Sequence, residues 1–176
     1  MGEWAMRNFD YLKKEAKFVD FADAAIAAEK IINIDAAASV INCRRAMEFA
    51  IKWMYSVDES LAMPYQDKLS SLMSTEDFHY IVSDDLWKRL DLIRRLGNKA
   101  AHNGKKVSMD EAVLCLQNLF LFFDFVAYCY ADNYEERQFD TNLLQQGQLD
   151  KGIPKIPADV ELKELVVQNK ALQEEL

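Results

Sequence analysis

The sequence predicts an all-α protein, a helical bundle, on three observations. Glycine and proline are scarce, 5 and 3 among 176 residues, where a loop-rich β fold needs many turn residues. Hydrophobic residues make up 51% of the chain, enough to fill a core. Apolar residues also recur at steps of three and four along most of its length, which places them on one face of a helix.

The elements follow in order. FDYLKKEAKFVDFADAAIAAEKII, residues 9–32, shows Phe18, Phe21, Ala22, Ala25 and Ile26 at helical spacing and reads as one helix or two short ones. Asp35 is the expected N-cap of AAASVINCRRAMEFAIKWMYSV. On that helix Arg44 and Glu48 stand four apart and can pair. SVDESLAMP reads as a loop, and Pro64 suits the first turn of a short helix, PYQDKLSSLMS. A second short helix, TEDFHYIVS, takes Ser74 or Thr75 as its cap; its His79 lies between aromatics and receives no chemical role.

SDDLWKRLDLIRRLGNKAAH follows, capped by Ser83 or Asp84, with Leu86, Leu90, Ile93 and Leu96 as its apolar stripe. NGKKV ends it. Ser108 and Glu111 then form a capping box that opens the most apolar stretch of the chain, AVLCLQNLFLFFDFVAYCYA, residues 112–131. Gln117, Asn118 and Asp124 lie inside that stretch and charges flank it. The expectation is the buried centre of a bundle and no membrane span.

Three regions result. Residues 7–134 form the bundle. Residues 135–157 are polar, hold two of the three prolines, and read as a linker. Residues 158–176 form a coiled-coil-like helix. Its Leu162, Leu165, Asn169, Leu172 and Leu176 make a heptad seam with asparagine at one core position, a device that fixes register in dimers. The pattern runs to the last residue without a C-cap, as expected of a piece of a longer chain.

Lys and Arg number 21 against 29 Asp and Glu, a formal charge of −8. A protein coated in nucleic acid is thereby excluded, and any such contact must be a local patch. Cys43, Cys115 and Cys129 are odd in number and lack CxxC spacing, so neither a disulfide framework nor a zinc site is expected. Reduced buried thiols in a cytoplasmic protein fit this usage. No GxxxxGK[ST], GxGxxG or HExxH pattern occurs, and no cofactor or metal is expected.

One segment stands out, RRLGNKAAHNGKK, residues 94–106. With helix through His102, Arg95, Asn98 and His102 fall at i, i+3 and i+7 and share a face. Arg offers a fixed fork of donors for phosphate oxygens, and His can move a proton near neutral pH. A base and a cation are the parts of metal-free ribonuclease chemistry. Arg94, Arg95, Asn98, Lys99, Lys105 and Lys106 are the candidate nucleic-acid contacts. Gly97 lets another backbone or a ligand approach. The same residues also suit a purely structural role, because basic side chains complement a helix C-terminus.

RRLGNKAAH, a basic pair followed by GN and a small pair before His, resembles the HEPN-like helical domain at the N-terminus of type I restriction enzyme R subunits. NFDYL, AAE, CRRAMEFAIKW and the aromatic-rich helix ending in YCYADNY follow the same order, over roughly residues 8–134. The resemblance implies an all-α HEPN-like bundle and a parent protein that carries a nuclease and an ATP-driven translocase. In the wider HEPN group an Arg and a His form a metal-independent ribonuclease site, often across a symmetric dimer. Arg95 and His102 would be that pair, with Asn98 between them; the Leu-Gly step after Arg95 departs from the commoner pattern. Three readings stand. One is a non-catalytic accessory module that docks other restriction-modification subunits or contacts DNA or RNA. One is a HEPN ribonuclease of a defence system. The third is a helical module for homodimerisation.

Overall fold

The computed structural model of the chain describes residues 6–102 and 106–144. These residues form an all-α bundle, with no strand among them. Two short 3-10 turns, Asp10–Lys14 and Ala16–Phe18, lead into α1 (Val19–Ile31). Then come α2 (Ala36–Val57), α3 (Leu69–Met73), α4 (Glu76–Ile81), α5 (Asp84–Ala101) and α6 (Met109–Tyr130).

The helix starts follow from local chemistry. The first N–H groups of a helix have no partner inside it, and a side-chain oxygen just upstream can take one. Asp35 accepts from the Ala38 N–H at 3.0 Å, Thr75 from Phe78 at 3.1 Å and Ser83 from Leu86 at 3.2 Å. At α6 the capping box closes both ways: Ser108 Oγ accepts from Glu111 N–H at 3.1 Å, and the Glu111 carboxylate accepts from Ser108 N–H at 2.9 Å. Each such cap contributes about 1 kcal/mol.

α6 is the centre of the bundle. It is the one described helix long and apolar enough to cross a membrane, and most of that apolar surface is covered by protein. Leu114, Leu116, Leu119, Phe122, Phe123 and Val126 are fully buried. The four-residue connection after α1 turns the chain back, so α1 and α2 pack side by side. α2 and α5 flank α6 and also pack on each other. Phe21 stacks on Phe123 at 5.3 Å, and Phe9 meets Phe120 and Phe123 edge-on. Cys43 and Cys115 are buried free thiols, and Cys129 is free and exposed.

Two segments differ from the sequence expectation. The stretch expected to be helical from residue 9 opens as 3-10 turns, because its backbone is committed elsewhere. Buried Glu29 of α1 accepts from the N–H of Asn8 at 2.9 Å, from its amide at 2.8 Å and from the N–H of Phe9 at 3.3 Å. Pro64 does not start a helix. Residues 65–68 are exposed and offer no apolar face to bury, so helix begins only at Leu69. The loop before it is fastened from outside. Asp77 accepts from the Ala62 N–H at 3.1 Å, and Asp58 accepts from the Ser60 N–H at 3.0 Å and from Tyr130 Oη at 2.5 Å.

Residues 135–144, the first part of the expected linker, lie on the bundle. Phe139 packs edge-on against Phe120 at 5.6 Å. Asn8 bridges to Asp140, donating to its carbonyl at 3.0 Å and accepting from its N–H at 2.7 Å. Asn33 Nδ2 donates to the Leu144 carbonyl at 2.7 Å, and the Leu144 side chain is buried. The rest of the linker and the heptad helix expected over 158–176 fall outside the described residues.

Candidate functional site

α5 is the most amphipathic helix of the bundle. Leu86, Leu90, Ile93 and Leu96 face inward, as the three- and four-residue spacing predicts. Its C-terminal half carries the residues singled out by sequence. The helix runs through Ala101, and His102 is the C-cap, its N–H bonded to the Lys99 carbonyl at 3.2 Å. His102 therefore sits one residue beyond the last helical position, exposed to solvent.

The arginines are organised by an acid from within the same helix. The Asp91 side chain is only 5% exposed, and its two oxygens are divided between two guanidiniums. Arg94 donates to Oδ1 from Nε at 2.9 Å, and one of its terminal nitrogens lies 2.8 Å from the same oxygen as an ion pair. Arg95 is ion-paired with Oδ2, its Nε 2.8 Å away, while its side chain stays 46% exposed. A buried carboxylate needs such partners, because an unpaired buried charge is costly. One carboxylate facing two guanidiniums leaves one positive charge over.

Lys99 is tied differently. Its ammonium lies 2.6 Å from Glu111, the acid of the α6 capping box. That carboxyl lies below its ordinary range: burial pushes it up, but the Lys99 ammonium and the Ser108 N–H together hold it down. Lys99 thus fastens the end of α5 to the start of α6. Asn98 is half-buried, Lys106 is exposed, and Lys105 lies outside the described residues. Of the residues expected at the site, the structure therefore sets Arg94, Arg95, Asn98 and His102 along the end of one helix. Arg94 and Lys99 are already engaged inside the protein.

Sequence reasoning gave Arg44 only a pairing with Glu48. Gly97 is buried where α5 crosses α2, and the Arg44 stem fills the space a side chain there would need. A Cβ at position 97 would lie 2.4 Å from Arg44 Cδ and 2.6 Å from its Cβ. The signal was present: a glycine inside a helix costs stability, so it marks a close approach. It did not say who approaches.

The described concave surfaces lie elsewhere. A cavity of about 140 Å³ is lined by Tyr11, Leu12, Lys14, Phe18, Ala127 and Arg137. The Tyr11 hydroxyl there is buried without a partner, and burial raises its pKa. A wider groove between α1 and α2 has Asp20 and Asp23 on one wall and Arg45, Phe49 and Trp53 on the other. Among the described residues no group of three His, Cys, Asp or Glu side chains could hold a metal ion.

Among the described residues the chain is a small helical bundle with two arginines paired to one buried acid in the C-terminal half of α5. The chain belongs to the family described as domain of unknown function (DUF4145), which matches residues 26–153 and so spans α2 to α6, RRLGNKAAH included. No curated protein and no solved structure matches the chain.

Proposed function

We propose that this chain is a non-catalytic accessory module whose α5 end contacts nucleic acid, within a protein like the R subunit of a type I restriction enzyme. The observation that carries this reading is the Asp91 arrangement. It holds two guanidiniums side by side with one charge in excess and Arg95 nearly half exposed. Arginines held in place lose less freedom when they meet a phosphate, and each contact releases counterions from the nucleic acid. In a chain of net charge −8 this is a local contact, suited to docking and not to wrapping. The RRLGNKAAH resemblance supplies the restriction-enzyme context. The test is binding of labelled DNA duplex and single-stranded RNA at low and moderate salt. The reading predicts salt-sensitive binding that weakens in Arg95→Ala; a wild-type chain that binds neither at low salt overturns it.

A second reading, a metal-independent ribonuclease, is favoured by one observation. Arg95 and His102 are both exposed at the same helix end, open to a second copy of the chain. It predicts RNA cleavage in the presence of chelator that disappears in His102→Ala while the helical signal persists. Intact RNA after long incubation with a dimeric preparation contradicts it.

A further inference from the structure

We propose that Arg44 of α2 completes the α5 site, and that the two helices together form a seat for a phosphodiester group of a nucleic-acid strand. This rests on the nucleic-acid reading above and adds to it a residue from a different helix.

The first observation is placement. The Arg44 stem lies directly across Gly97, the residue before Asn98, at distances that exclude even a methyl group. Gly97 therefore lets the Arg44 stem lie against the segment that carries Arg94, Arg95 and Asn98. Two residues distant in sequence, 44 and 97, are fitted to each other.

The second observation is hydrogen-bonding capacity. A guanidinium has five N–H donors. Arg94 Nε bonds Asp91 at 2.9 Å, Arg95 is ion-paired with the same acid, and Arg89 bonds Asp85 and Asn118 at 2.9 and 3.0 Å. Arg44 makes one ion pair, to Glu48 at 3.6 Å, which is beyond hydrogen-bond distance. Its Nε is buried with no partner at all. Glu48 is also shared, with the Lys52 ammonium closer at 3.1 Å. Arg44 is thus packed along its stem and under-bonded at its head, while about a third of the side chain reaches solvent. The Nε itself is enclosed by protein, and the part of the guanidinium that reaches solvent is where an acceptor-rich anion can meet it. A phosphodiester offers unesterified oxygens to a fork of donors and carries the single negative charge that matches the excess beside it.

The third observation is scale. The chain is acidic overall, so no continuous basic track is available for a long duplex. A seat for one or two phosphates of a flexible strand is what this charge balance permits.

The experiment titrates fluorophore-labelled single-stranded RNA with the full chain at several salt concentrations, read by anisotropy. Arg44→Met keeps the stem over Gly97 and removes the charge. It is expected to weaken binding roughly tenfold and to reduce the slope of log affinity on log salt by about 0.7, the loss of one phosphate contact on a single strand. Arg44→Lys restores the slope but not the full affinity, because an ammonium lacks the fork. Lys68→Met, an exposed cation on the loop before α3, changes neither. A second readout needs no variant: the Arg44 Nε–H proton resonance shifts when RNA is added. The assignment is overturned if RNA binds, Arg95→Met weakens it, and Arg44→Met retains wild-type affinity and slope; the nucleic-acid reading then stands without Arg44. It is equally overturned if RNA binds and the Arg44 resonance stays still. Absence of binding by the wild-type chain removes both readings together.

Discussion

Glu29 and Asp91 are two buried acids on two helices, and they do opposite things. Glu29 is surrounded by neutral donors, the N–H groups of Asn8 and Phe9 and the Asn8 amide. Burial lifts its carboxyl above the ordinary range, only partly offset by those hydrogen bonds. Asp91 is surrounded by charge, with a guanidinium on each oxygen. The first acid fastens the N-terminal strap, and through Asn8 the residue 140 region, onto the bundle. The second holds two cations at the surface in fixed positions. The partners decide the role: an acid served by backbone amides closes a fold, and an acid served by arginines builds a surface.

Breaking each acid sharpens that contrast. Glu29→Ala has the largest expected effect. It strands three buried donors, each costing about 1 kcal/mol or more, so chemical denaturation should show a loss of about 4 kcal/mol. A loss below about 1 kcal/mol would mean the strap is not part of the cooperative unit. The pH dependence has a definite sign. A carboxyl whose folded pKa is raised binds its proton more tightly in the native state. Its stabilising contribution is therefore full in acid and is lost as pH rises from the ordinary carboxylate range through the raised folded value. Glu29→Gln removes that decline, and a decline that persists unchanged in the variant assigns it to another group.

Asp91→Ala comes next, at about 2 kcal/mol, because the hydrogen bonds lost are to charged partners but both arginines can still reach water. Equal stability of variant and wild type would show that the pairing organises the surface without holding the fold. Gly97→Ala follows at about 1.5 kcal/mol, the cost of forcing a methyl against the Arg44 stem. The double variant Gly97→Ala with Arg44→Ala should recover only part of that loss, because it removes Cγ and Cδ but leaves the residue-44 Cβ 2.6 Å away; no recovery at all would place the clash elsewhere. Lys99→Met is the smallest, about 0.5 kcal/mol, since this ion pair is partly exposed. A markedly larger effect would make the α5–α6 tie a main support of the bundle.

Much of the fold was readable because it rests on local rules. Asp35, Ser83 and the Ser108–Glu111 box announce helix starts through chemistry that spans three residues. The central place of α6 follows from a stretch too apolar to face water, and neighbouring helices cover most of it. Pro64 misled because proline tolerates a first helical turn without requiring one, and the residues after it had nothing to bury. The 3-10 entry was hidden because Glu29 stands some twenty residues from the backbone it holds. The site divides the same way. Arg94, Arg95 and Asn98 lie together because they share one helix, whereas His102, expected on the same helical face, is the extended residue that ends it. The burial of Asp91 beneath the arginines, and the Arg44 stem on Gly97, depend on packing that spacing does not encode.

The most direct test maps backbone amide resonances of the full chain as single-stranded RNA is added at low salt. The account predicts shifts concentrated at residues 94–102 and around Arg44, diminishing as salt is raised. Shifts confined to the Tyr11–Arg137 cavity or the α1–α2 groove, or no shifts at all, would contradict it.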